Sequence, residues 1–128
     1  MRIYLASRFS NRFILRNIRD FLVKSGHQIV SRWIDVPSRP EGEIELFWGV
    51  WALKDVQDLD SAECLILVTI GCDGESAPRG GMRFEEGYCY AQKKPIYVVG
   101  PKLIVFDQLK DICYCSSIEE LMNIFKAG

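Results

Sequence analysis

The sequence predicts an α/β fold in which about five parallel strands form a single doubly wound sheet with helices on both faces. Two observations carry that reading. Strand-length apolar runs alternate along the whole chain with segments whose apolar residues recur at helical spacing. The runs are also continuous rather than alternating, as in "CLILVTI" from Cys64, so the strands are buried on both faces and belong to a parallel sheet. The flavodoxin or Rossmann-like order 2-1-3-4-5 is the arrangement expected. At 128 residues the chain is read as one domain spanning 1–128.

"RIYLA" makes the first strand, and Ser7 to Ser10 the loop after it. Phe13, Ile14, Ile18, Phe21, Leu22 and Val23 mark the first helix, which Gly26 ends as a C-terminal cap residue. "HQIVSRWI", with its β-branched residues, reads as the second strand. The loop "DVPSRPEGE" leads to a helix from about Glu43 to Leu59, and "ECLILVTI" is the third strand. The loop "GCDGESAPRGG" opens a helix from about Met82 to Gln92. "KPIYVVG" is the fourth strand and "ICYC" a short fifth. Ser116-Ser117-Ile118-Glu119 starts a last helix reaching about Lys126.

Composition excludes several function classes. A net charge of -1 gives no general attraction to a nucleic-acid polymer or an anionic membrane. No apolar run approaches the roughly 20 residues of a membrane span, and "MRIYLAS" makes a better strand than a signal peptide. The five cysteines lack metal-type spacing with a nearby histidine and read as reduced thiols of a cytoplasmic protein. His27 is the single histidine, which argues against a His-based triad or a multi-His metal site. No cofactor or metal is expected.

In an open parallel sheet, ligands bind beyond the carboxyl ends of the strands, where the strand order reverses. For 2-1-3-4-5 that point lies between strands 1 and 3, so "ASRFS" and "GCDGESAPRGG" form the expected site. Gly80 and Gly81 permit close backbone approach to a ligand. Glu85 lies about one turn into the helix they open, where the dipole favours an ionised carboxylate. Its helical neighbours at three- and four-residue spacing are Met82 and Cys89, whereas Glu86 lies on another face. An ionised carboxylate there suits stabilisation of, or attack on, a carbon bearing positive charge. Asp55, flanked by Trp48 and Trp51, is the second candidate carboxylate, while Asp58 and Asp60 read as a solvated helix face. Ser7 and Arg8 supply a hydroxyl and a fixed cation for a sugar or phosphate oxygen. Phe9 and Trp33 are candidates to stack on a flat base, and Arg32 reads as a surface charge. The apolar excess in "ELFWGVWAL" points to a homo-oligomer, a dimer or larger.

With these residues in place, the chain resembles the nucleoside 2-deoxyribosyltransferase family, including its deoxynucleoside 5'-monophosphate N-glycosidases. "IYLASRFS", "SRWID", "WALKDVQDLDSAECLILVT", "RGGMRFEEGYCYAQKKPIYVVGP" and "VFDQL" carry the likeness in order over nearly the whole chain. The resemblance implies Glu85 as nucleophile and Asp55 as the residue that handles the base or orients the sugar. Tyr4 would complete the catalytic set, with Ser7 and Arg8 at the sugar or its 5' substituent and Trp33 bordering the base. Gly80, Gly81 and Met82 would line the sugar pocket. Arg79 stands where short relatives often carry Ser, which would favour a 5'-phosphate, and Ile104 stands where many carry Asn. The implied reaction is cleavage of the N-glycosidic bond of a 2'-deoxynucleoside or its 5'-monophosphate through a covalent glycosyl-Glu85 intermediate, by hydrolysis or transfer to another base. Two other glutamate-dependent glycohydrolases share part of the pattern. The phosphoribohydrolases carry a fuller "PGGxGTxxE" motif that is absent here, and NADases of the TIR type lack the double-glycine helix start. Outside enzymes the alternative is a nucleotide-binding or sensing module, which has little use for a nucleophile.

Overall fold

A computed structural model describes residues 1–36, 44–73 and 80–126. Five strands, β1 (Arg2–Ala6), β2 (Gln28–Ile29), β3 (Cys64–Val68), β4 (Ile96–Val99) and β5 (Cys113–Cys115), form one sheet in the order β2-β1-β3-β4-β5. Every pairing is parallel, with Tyr4 opposite Leu65 and Leu65 opposite Ile96. The helices are α1 (Arg12–Lys24), α2 (Ile44–Ser61), α3 (Gly80–Ala91) and α4 (Ile118–Phe125). Helix α1 packs against α4, and α2 against α3. The expected doubly wound sheet is therefore present.

Each of the five residues of β3 is buried, as the unbroken apolar run requires of a central strand. Helix α1 turns Leu15, Ile18 and Leu22 into the core. It ends where the Gly26 N–H donates to Val23 O and the His27 N–H to Leu22 O, with Gly26 at φ +93°. That paired closure needs a left-handed residue, which glycine adopts without cost from a Cβ. At α4, the Ser117 side chain caps the helix by accepting from the Glu120 N–H. Among the described residues no helix is long and apolar enough to cross a membrane.

One element departs from expectation. The second strand is only two residues long, and Arg32–Asp35 form a 3₁₀ turn instead of its continuation. The Leu5 N–H, which faces that edge, donates to Ser31 Oγ at 3.0 Å, and the Leu5 carbonyl accepts from the Trp33 indole at 2.9 Å. Side chains thus satisfy the backbone groups that a longer β2 would have paired. Trp33 is delivered to the carboxyl end of β1 on a turn, not on a strand.

Candidate active site

The site forms where β1, α2 and α3 meet. Tyr4 is fully buried in β1; Glu85 lies in the second turn of α3, beside the sheet. Met82, Glu85, Glu86 and Cys89 are the buried residues of α3. Asp55, half-buried, comes from α2. Tyr4 Oη, Asp55 Oδ1 and Glu85 Oε2 are all buried without a hydrogen-bond partner. The Tyr4 hydroxyl is near enough to Glu85 to favour its ionised form, yet the pair falls short of hydrogen-bond geometry. An unsatisfied buried oxygen costs about 1–3 kcal/mol, and three of them fall in this one cluster.

The electrostatics overturn one expectation. Burial pushes the Glu85 carboxyl up to about 8, reinforced by Asp55 and only partly opposed by Tyr4. Desolvation outweighs the helix dipole because the carboxyl sits more than a turn inside α3, where the dipole has faded. Burial also raises Asp55 to about 6, with the charge of Asp58 adding to the shift and that of Arg32 opposing it. The Tyr4 hydroxyl is raised by burial and then by the charges of Glu85 and Asp55. Tyr4 and Glu85 thus act on each other, and both feel the charge of Asp55.

Beside them, Ser7 Oγ donates to Val68 O at 2.6 Å and accepts from Asn11 Nδ2 at 2.9 Å. The loops after β1 and β3 are thereby tied together. Arg8 is half-buried next to Gly71. Phe9, partly exposed, lies 6.4 Å from the buried Trp33 at a tilt of 32°, and Arg12 covers the Phe9 ring at 3.9 Å. Gly80 and Gly81 are the first two helical residues of α3, two positions earlier than expected. They are exposed, and a Cβ on either would meet nothing within 4 Å among the described residues. Met82 is buried at their side. Arg79 lies outside the described residues.

The carboxylates around the site are less solvated than their spacing suggested. Asp58 is buried and accepts from the Arg32 backbone N–H and guanidinium at 3.0–3.1 Å, so Arg32 is a paired cation rather than a lone surface charge. Asp60 is exposed, as expected, and accepts from the Tyr88 hydroxyl at 2.5 Å. Glu86 is buried and paired with Arg83 at 2.9 Å. Arg83 also bonds Asp107 at 3.0 and 3.1 Å, and Asp107 accepts from the amides of Leu103 and Ile104. Sequence reasoning missed Asn11, Gly71, Arg83 and Asp107. The signals were faint: a glycine three positions after the end of β3, and polar residues three or four positions from site residues.

No family model and no curated protein matches the chain. Solved structures do. A 2-deoxyribosyltransferase from Bacillus psychrosaccharolyticus is 21% identical, with a TM-score of 0.71 over 99% of this chain and 97% of that one. A conserved protein from Enterococcus faecalis V583 is 14% identical, with a TM-score of 0.64 over 98% and 96%. A CMP N-glycosidase from Clostridium botulinum is 16% identical, with a TM-score of 0.58 over 97% of each. The resemblance to the nucleoside 2-deoxyribosyltransferases thus extends to the whole fold, which this chain shares with a 2-deoxyribosyltransferase from end to end.

Proposed function

We propose that this protein cleaves the N-glycosidic bond of 2'-deoxynucleosides or their 5'-monophosphates, with Glu85 as nucleophile. The observation that carries the reading is the cluster of buried, unpartnered oxygens on Tyr4, Asp55 and Glu85. A Glu85 carboxylate oxygen attacks the anomeric carbon, and the carbon–nitrogen bonding pair leaves with the base. Asp55, raised to about 6 and so partly protonated near neutrality, gives the base its proton directly or through a water. Water or a second base then attacks the same carbon, its proton passes to the Asp55 carboxylate, and the carbon–oxygen bond to Glu85 breaks with its electron pair returning to Glu85. Trp33 and Phe9 border the base, and Ser7, Gly80, Gly81 and Met82 shape the sugar side. Incubation with a panel of nucleosides and 5'-monophosphates, with and without an acceptor base, tests the reaction and separates hydrolysis from transfer. Absence of base release across the panel refutes it.

The two carboxyl groups set the pH dependence. Attack needs Glu85 ionised, at about 8, and departure of the base needs Asp55 protonated, at about 6. In the profile of kcat/KM the rate is expected to rise to about pH 6, stay level, and fall above about pH 8, as apparent values of the coupled pair. In Asp55→Asn the descending limb should vanish and the rate should climb with pH to a plateau. A descending limb that persists in this variant removes Asp55 from the role of acid.

The protein is also proposed to be a homo-oligomer. Leu46, Val50 and Leu53, at 65, 44 and 69% exposure, form a stripe along α2 at i, i+4 and i+7. Phe84 is exposed on the neighbouring α3. Sedimentation at micromolar concentration should show a dimer or larger species, and Leu53→Glu should shift it toward monomer; monomeric wild type overturns the proposal. All five cysteines are free thiols, four of them buried, which supports a reducing, cytoplasmic setting.

A further inference from the structure

The turn Arg32–Asp35 is held from three elements. Ser31 and Trp33 take the N–H and the carbonyl of Leu5 in β1, and Arg16 of α1 donates to Ile34 O at 3.0 and 3.2 Å. From α2, Asp58 accepts the Arg32 backbone N–H at 3.1 Å and stands 3.0 Å from both Nε and Nη2 of its guanidinium. An ion pair with one buried member adds little stability over an apolar pair of the same size. Its place in the chain is what sets this one apart. Arg32 directly precedes Trp33, and Asp58 lies three positions after Asp55 on the same face of α2. The bridge therefore ties together the two segments that carry Trp33 and Asp55.

It also balances charge beside Asp55, whose buried Oδ1 has no hydrogen-bond partner. The titratable groups that interact with this carboxyl are Asp58 on its own helix, Arg32 on the turn, Tyr4 on β1 and Glu85 on α3. Arg32 is the one cation among them. Burial raises Asp55 most, the charge of Asp58 adds to the rise, and Arg32 opposes it.

We propose that Arg32 and Asp58 are positioning residues for Asp55: Asp58 anchors Arg32, and the anchored cation offsets the carboxyls around Asp55, so that Asp55 can both give up a proton and take one back. Without the cation, Asp55 would keep its proton when the base departs. Without Asp58, it would hold that proton too weakly. The inference rests on the glycosidase reading only for the use made of the proton.

Carbon-13 NMR titration of the Asp55 carboxyl, assigned by its loss in Asp55→Asn, tests the inference without any turnover. Wild type should titrate near 6. Arg32→Gln should move the midpoint up by about one pH unit, the low end of what a neighbouring charge does, and Asp58→Asn should move it down. Arg32→Lys, which keeps the charge but not the planar fork, should stay close to wild type. A merely structural bridge would cost stability in Arg32→Gln and Asp58→Asn and leave the midpoint where it was. A general loosening around Asp55 would move both variants in the same direction. Either result overturns the proposal. Asp58→Asn strands no buried charge, since the Arg32 side chain is 52% exposed, and it carries the test by itself should Arg32→Gln not fold. In the profile of kcat/KM the bend near pH 6 should follow the midpoint in each variant, while the bend near pH 8 stays in place. Midpoints that shift as expected in a protein that releases no base from any nucleoside or nucleotide refute the glycosidase reading alone.

Discussion

Glu85→Gln is expected to lower base release by at least about 10³-fold, as loss of a nucleophile does, and at the same time to make the protein more stable at alkaline pH. The second effect follows from the shift to about 8. A carboxyl whose pKa is raised on folding contributes stability that is full below its unfolded value and is lost as pH rises through the folded value. Wild type must then hold a desolvated charge; the glutamine variant never does. At 1.36 kcal/mol per pKa unit, the difference above pH 8 is on the order of a few kcal/mol, shrinking to nothing near pH 4. Denaturant unfolding at pH 5 and pH 9 measures it. A variant no more stable than wild type at pH 9 would show that Glu85 is not the strained group. The contrasting substitution is Glu86→Gln, which breaks the pair with Arg83 and should cost stability while leaving the chemistry in place.

The largest loss of stability is expected for Asp107→Ala, about 3–5 kcal/mol, the cost of stranding a buried partner. Burial alone would raise the Asp107 carboxyl, but Arg83 and the amides of Leu103 and Ile104 outweigh it and hold the group below its ordinary value. Its contribution is therefore present above the unfolded pKa and disappears as pH falls through the folded one. The cluster of Arg83, Glu86 and Asp107 holds one cation and two carboxylates, so replacing only the Arg83–Asp107 pair leaves Glu86 uncompensated. Arg83→Met/Asp107→Leu should recover little of the loss, and adding Glu86→Gln should recover most of it. Chemical denaturation of the three variants checks the ranking. Because Arg83 sits two residues before Glu85, activity should fall along with stability.

The sheet order was legible because a buried parallel strand announces itself as an unbroken apolar run, and Cys64–Val68 does so. The early end of β2 was not legible. It depends on Ser31 and Trp33 reaching across to Leu5, a contact between residues 26 and 28 positions apart that no local pattern encodes. The same division holds in the site. Glu85 and Asp55 could be singled out because helix position and the switch point of the sheet are properties of the pattern. Asp58 could not: its spacing from Asp55 fits a solvated face, and only the fold brings the Arg32 amide and guanidinium onto it. The rise of the Glu85 pKa was hidden for a related reason, since burial is set by what packs around a helix and not by position along it.

The place of β1 between β2 and β3 also shapes how the chain acquires its fold. Ser7 and Val68, joined by a hydrogen bond at the carboxyl edge of the sheet, are 61 positions apart in the chain, the same separation that sets Ile3 opposite Cys64. During synthesis at about 5–20 residues per second, the apolar segment Ile3–Ala6 waits on the order of 3–12 s before its principal partner strand is made. Its earlier neighbour, β2, offers only two paired residues in the meantime. Pairing at such range is slow to nucleate because the loop must close before any contact rewards it. The nascent chain therefore passes through an interval in which a fully apolar strand is unpaired on one side, and overexpression at high temperature is expected to divert it into aggregates at that stage.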